Sequence, residues 1–208
     1  MKRSSTDTRA GFTLVEVMIA IGIMTVGSLG ILAMHHAVTR ANREAREMNT
    51  ALALTETWME RVERDSLLWT AQGFNTTELQ GTAYLKEIAG VADETAWFKP
   101  IPTGVGEYAS SDFFGVDTAN AADTKYCVNL KLAWLRQGSS VRVDVRTYWL
   151  REGHMAGTPA HGQWVAASAF RSAGCASATA DGWNLGQAPN VNVIFASTAV
   201  TWLRRDTP

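Results

Sequence analysis

Residues 11–38 read GFTLVEVMIAIGIMTVGSLGILAMHHAV. From Val17 to Met34 nothing carries a charge, and extending back to Phe12 adds a single ionised group, Glu16. At about 1.5 Å rise per residue, Phe12 to Val38 makes a helix of about 40 Å, enough for a hydrocarbon core of about 30 Å plus part of an interface. The stretch predicts a membrane-spanning helix. Lys2, Arg3 and Arg9 form a basic front end, which raises the rival reading of a cleaved secretory signal. Such signals carry an apolar run of only about 7–15 residues followed by a small-x-small site. Here the run is longer and leads into Met34-His35-His36-Ala37-Val38-Thr39-Arg40, which offers no such site, and no cysteine lies nearby for lipid attachment. The helix is expected to stay with the protein.

Glu16 is the exception to be explained. A carboxylate inside a membrane helix costs several kcal/mol and persists where it stays wet at the interface, has a partner or has a function. Gly11-Phe12-Thr13-Leu14-Val15-Glu16-Val17 resembles the processing site of type IV prepilins and type II secretion pseudopilins. The resemblance implies a leader, residues 1–11, cut by a prepilin peptidase between Gly11 and Phe12, with N-methylation of the new Phe12 amine. That amine would lie about one helical turn before Glu16. Phe12, Thr13 and Glu16 then become the expected register device: the amine of one subunit neutralises the glutamate of a neighbour in a low-dielectric bundle, where an unpaired charge is expensive. Lys2, Arg3 and Arg9 before the helix balance Arg40, Arg43 and Arg46 after it, so charge does not set the orientation. The resemblance alone implies a cytoplasmic amino terminus, an inner-membrane precursor and a carboxy-terminal domain outside.

Working outward, nothing after Val38 stops a helix, since no glycine occurs before Gly73 and no proline before Pro100. Ala45, Met48, Leu52, Thr55, Met59 and Val62 recur at spacings of three and four, an apolar stripe expected to pack on a globular domain. One helix of roughly 54 residues and about 80 Å is predicted, from about Phe12 to Asp65. Its membrane or assembly half is 12–38 and its amphipathic half 39–65. Gly22, Gly27, Ser28 and Gly30 favour close helix–helix approach. Gly27-Ser28-Leu29-Gly30-Ile31-Leu32-Ala33, then Glu56-Thr57-Trp58-Met59-Glu60-Arg61-Val62-Glu63-Arg64, are most similar to PilV-type minor pilins.

Residues 66–125 mix Gly, Thr, Ser, Asn and Asp with isolated aromatics and read as a connecting αβ region with short elements. Its aromatics, Phe113 and Phe114 among them, are expected to help cover the helix stripe. From Tyr126 the period becomes two. Tyr126, Val128, Leu130, Leu132 and Trp134 alternate with Cys127, Asn129, Lys131 and Ala133, then Val141, Val143, Val145, Thr147 and Trp149 with Arg142, Asp144, Arg146 and Tyr148. This predicts a hairpin, and a third strand candidate runs from Val191 to Leu203. The fold class expected is α+β, with the long amino-terminal helix on a carboxy-terminal antiparallel sheet in 126–208, as the resemblance to pilins also implies. Outside the cytoplasm Cys127 and Cys175, 48 apart, are expected to bridge rather than remain free thiols, closing a loop worth about 4 kcal/mol in the chain-entropy model.

The chain has 208 residues, 46% of them hydrophobic, and a net charge of -1. That bounds it to one domain with a real core and argues against nucleic acid as a partner. No enzyme signature is present. His35 and His36 sit at the membrane exit, His154 and His161 lack a third ligand, and Asp112, Asp117 and Asp123 lack calcium-loop spacing. Gly104-Val105-Gly106 is no nucleotide fingerprint. No cofactor and no metal are expected. Trp97, Trp164 and Trp183 either fill the core or anchor a partner, and 152–189 is the expected partner-facing surface.

The resemblance implies a minor pilin of a type IV pilus that helps initiate assembly at or near the tip, with roles in twitching motility and cell adhesion. Its implied partners are other minor pilins, the major pilin, the prepilin peptidase, the inner-membrane assembly platform and a tip adhesin. Two alternatives stay open: a minor pseudopilin of a type II protein secretion system, and a membrane-anchored periplasmic binding module.

Overall fold

The computed structural model describes residues 13–69, 76–101, 107–151, 165, 167–182, 185, 188 and 190–202. The chain divides into two compact units, one ending at Glu47 and one beginning at Met48. Helix α1, Leu14–Ser66, contributes to both. The second unit adds β1 (Ser110–Ser111), β2 (Tyr126–Arg136), β3 (Ser140–Leu150), α2 (Ala167–Ser172), α3 (Ser177–Gly182) and β4 (Val191–Thr201). Short 3-10 helices, Thr76–Gly81, Leu85–Ile88 and Ala121–Asp123, fill the connection between α1 and β2. The class is α+β, with a four-stranded antiparallel sheet in the order β1-β2-β3-β4.

Alternation assigns the two faces of the sheet. Val128 pairs with Thr147, Leu130 with Val145 and Leu132 with Val143, and all of these side chains are buried toward α1. The hairpin turns at Gly138, whose φ of 76 is open to glycine at little cost. β4 completes the sheet as one eleven-residue strand to Thr201; the Leu203 end of the predicted third strand lies outside the described residues.

The buried face of α1 differs from the predicted stripe. Thr55 and Val62 are buried as expected, with Ala51, Leu54 and Trp58 beside them. Ala45 is exposed, Met48 and Leu52 are 49% and 41% exposed, and Met59 is only partly covered. At 100° per residue the two lines lie roughly 80° apart, and Trp58, the largest side chain available, decides between them. Its indole meets Tyr84 edge-on at 5.6 Å and carries the Arg61 guanidinium 4.6 Å over its face. The Thr55 hydroxyl donates to the Ala51 carbonyl at 2.7 Å, so in its 2.7 Å contact with the Thr147 hydroxyl it accepts. A polar pair inside the apolar seam is thereby satisfied.

Asp65 fixes the exit from α1. One carboxylate oxygen accepts the Ala83 N–H at 2.6 Å, and the other accepts those of Tyr84 and Leu85 at 2.8 and 3.1 Å. The Leu85–Ile88 turn is thus docked with Leu85 and Ile88 fully buried. Asp65→Ala would leave three amide donors without their acceptor, and unpaired buried donors cost about 1–3 kcal/mol each before water compensates. A loss of about 3 kcal/mol is expected in chemical denaturation; less than 1 would mean that Leu85 and Ile88 dock without the cap.

Candidate functional site

The first unit is an exposed apolar helix. The described part of α1 is long and apolar enough to cross a membrane, and from Thr13 to Arg46 every residue is exposed. Its few hydroxyls are satisfied within the helix: Thr25 donates to the Gly22 carbonyl, Ser28 to Met24 and Thr39 to His35, each at 2.8 Å. None then needs a water partner, which suits a segment placed in lipid or among other helices. A Cβ added at Gly22, Gly27 or Gly30 would meet nothing within 4 Å, so the small residues offer notches that the unit itself does not fill.

Thr13 and Glu16 come together at the helix start. One Glu16 carboxylate oxygen accepts the Thr13 N–H at 2.8 Å and the Thr13 hydroxyl at 2.9 Å, while the Glu16 N–H donates to the Thr13 hydroxyl oxygen at 3.3 Å. This is a capping box, in which the first and fourth residues satisfy each other's free donors. The sequence reading treats Glu16 as a lone charge and misses this role, although the Thr13-x-x-Glu16 spacing is the signal for it. Capping occupies one oxygen of the carboxylate with neutral donors and leaves its charge uncompensated. Gly11 and Phe12, the expected cleavage and methylation residues, lie outside the described residues.

The second expected feature is on the far side of the sheet. Cys127 of β2 and Cys175 are joined by a disulfide, with Cα atoms 5.2 Å apart and both residues buried. Cys175 follows α2 in a left-handed conformation, φ 64, rare for a residue with a side chain. It is held by more than the bridge: Asn129 donates to its carbonyl at 2.9 Å, and the Lys99 ammonium donates to the Gly174 carbonyl at 2.6 Å. Beside it lies the 4%-exposed Arg146. Its guanidinium donates to the Asn129 side-chain Oδ1 at 3.0 and 3.1 Å and to Asp181 of α3 at 2.6 Å, and stacks 4.4 Å over Trp97. Burial pushes the Tyr148 phenol above its ordinary pKa, Arg146 working against that and Asp181 with it.

The far face bears on several expectations. The described part of 152–189 contributes to the core: Phe170, Ala180, Leu185 and Ala188 cover Cys127 and Tyr148. Trp97 serves the fold as the platform for Arg146, while Trp164 and Trp183 lie outside the described residues. Phe113 and Phe114 do not cover the helix; they are 48% and 81% exposed, on a loop whose backbone is fixed by its own turn. The Arg146 network is a feature that sequence reasoning misses, because only pairing of β2 with β3 places Asn129 opposite Arg146.

Among the described residues no group of three or more His, Cys, Asp or Glu could hold a metal ion. His35 and His36 sit on the exposed helix, and His154, His161 and Gly104-Val105-Gly106 lie outside the described residues.

Comparison with known proteins adds a single finding, at the helix. No curated protein and no solved structure gave a match. Residues 7–32 match the family model described as the prokaryotic N-terminal methylation motif, and the described part of the matched stretch lies on the exposed apolar part of α1, the helix that runs on into the α+β domain.

Proposed function

We propose that the chain is a PilV-type minor pilin, a structural subunit that enters a type IV pilus and helps initiate its assembly at or near the tip. It is made as an inner-membrane precursor with a cytoplasmic amino terminus, and the prepilin peptidase removes residues 1–11. The new Phe12 amine is methylated, and residues 12–38 serve first as membrane anchor and then as assembly helix. The observation that carries this reading is the methylation motif at residues 7–32, placed at the start of a helix with no charge between Val17 and Met34. Residues 39–65 continue the helix, 66–125 connect it to the sheet, and 126–208 form the sheet domain that meets other minor pilins, the major pilin and a tip adhesin. A minor pseudopilin of a type II secretion system would be processed in the same way. It would present its domain to secreted proteins instead, so the identity of co-purifying partners separates the two.

Assembly chemistry follows from Glu16. In a packed helix bundle the carboxylate needs a cation, and a neighbouring subunit's Phe12 amine supplies one. Glutamine at position 16 keeps the capping box, since either residue serves at that position, and removes only the charge. Glu16→Gln is therefore expected to leave the chain in the membrane, processed and folded, while its amount in sheared filaments falls at least about tenfold. Undiminished incorporation would reduce Glu16 to a helix cap.

A further inference from the structure

We propose that the free edge of β4 receives an extended strand from a different protein, which adds to the sheet beside β4. This deepens the filament reading, in which the sheet domain meets other proteins, and rests on it for the supply of that partner.

The two edges of the sheet differ. At one edge β1 has two residues, and the chain then leaves in a turn whose Asp112 carboxylate accepts the N–H groups of Phe114 and Val116 at 2.8 and 2.9 Å. At the other edge β4 pairs with β3 along its whole length without a register shift, from Leu150 with Val191 to Ser140 with Thr201. From Asn192 to Thr201 no backbone group of β4 bonds on the outer side to another described residue. In an antiparallel ladder every second residue turns its N–H and C=O away from the partner strand, so about five residues of β4 offer both groups outward. Sheets protect such a row with a lysine, a proline, a bulge or a short strand. The β4 sequence VNVIFASTAVT has no charged residue and no proline, and its length and regular register leave out the other two devices.

Apolar groups flank the row on both faces of the sheet. On the helix side, Met48, Leu52, Met59 and Glu63 lie within about 60° of one another on α1 at 100° per residue. The Thr198 hydroxyl donates to Glu63 at 3.2 Å, and Ile194 packs with Ala51 and Leu54 further along, so this flank of α1 follows β4. Met48 and Leu52 are exposed on it. On the far side Phe195 is exposed, with Trp97 against it at 6.1 Å. An extended backbone is what fits between them. It matches a row of alternating donors and acceptors, and its side chains point alternately to the Leu52 and Met59 flank and to Phe195. The partner segment is thereby defined chemically: about five residues or more, uncharged, free of proline, with apolar side chains on both faces. A minor subunit has few copies of itself to meet, which assigns the strand to another protein.

The test places a photo-reactive phenylalanine analogue in turn at Phe195, Ser197 and Ala199 of the full-length chain in the native organism. Cross-linked peptides are then sequenced from processed chains in membranes and sheared filaments. The three positions are exposed and share one face of β4. One partner segment is expected, and moving the probe two residues along β4 should move the link two residues along that segment, the signature of strand register. Ala196→Pro and Ser197→Pro add a second readout. Their N–H groups point to opposite sides of β4, so one proline removes a bond to β3 and the other only an outward donor. The outward one should leave the denaturation midpoint near that of the unmodified chain while lowering the link from position 199 at least about tenfold. Processed chains in filaments overturn the inference, and leave the filament reading standing, if they give no link, links that do not step with the probe, links between two copies of this chain, or undiminished linking in both proline forms. Chains that retain residues 1–11 and never reach filaments overturn the filament reading, and the inference with it.

Discussion

Serine at both Cys127 and Cys175 is expected to lower the unfolding free energy by about 4 kcal/mol, the loop-closure value for a separation of 48 residues. Against the 5–15 kcal/mol that holds a typical domain together, that loss takes a large share. The loss is also expected to be local in its first effect. The bridge ties the segment carrying α2 and α3 to β2, and the remaining ties are few: Asn129 to the Cys175 carbonyl, Lys99 to the Gly174 carbonyl, Arg146 to the half-exposed Asp181, and Phe170 against Tyr148. Cys175 also holds a left-handed backbone that costs roughly 1–2 kcal/mol for a residue with a side chain, and without the bridge this strain favours release. Limited proteolysis of the double-serine chain should cut first within 167–182, before β2 and β3 yield. Denaturation of the two forms measures the total. A loss under about 1 kcal/mol would mean that the polar ties alone hold the segment.

Trp58→Ala is expected to cost about 3–5 kcal/mol, the usual range for deleting a fully buried tryptophan. The indole sits where α1 meets the sheet, against Tyr84 and beneath Arg61, so its removal opens a cavity and strips the Arg61 cation of its aromatic support. Arg61 in turn holds Asp117 and the 112–117 loop, so the damage should spread to that loop. The indole N–H meets no acceptor among the described residues, which separates volume from hydrogen bonding: Trp58→Phe should cost far less than Trp58→Ala. Equal losses for the two would point to the N–H and contradict the packing explanation. Trp58 and the disulfide act on opposite faces of the sheet, so combining the changes should give an additive loss to within about 0.5 kcal/mol.

What could be read from the sequence depended on whether the signal was local. Uninterrupted alternation from Tyr126 to Trp134 and from Val141 to Trp149 carries its own period, and β2 and β3 follow it with the pairing it implies. The long uncharged run before Met34 and the lack of breakers after it define α1 in the same way. The rotation of α1 against the sheet was harder, because Met48-Leu52-Met59 and Ala51-Trp58-Val62 are both apolar at helical spacing. Only the fit of Trp58 into the core chooses between them. Asp65 and Arg146 were illegible for a different reason: their partners are 18 to 20 and 17 to 35 residues away, and nothing near either residue announces them. Glu16 carried two signals at once. Its charge in an apolar run points to the proposed assembly role and its spacing from Thr13 to the cap that the structure has; the two are compatible, because the cap uses the carboxylate as an acceptor and the proposed role would use its charge.

The central claim is that residues 1–11 are removed and that the helix beginning at Phe12 enters a filament. Mass spectrometry of the amino terminus, on protein taken both from the native membrane and from sheared surface filaments, tests it directly. An N-methylated Phe12 as first residue in both fractions is the predicted result. A chain that keeps Met1 to Gly11 in the membrane and is missing from filaments would contradict the claim, and would turn α1 into the anchor of a periplasmic binding module.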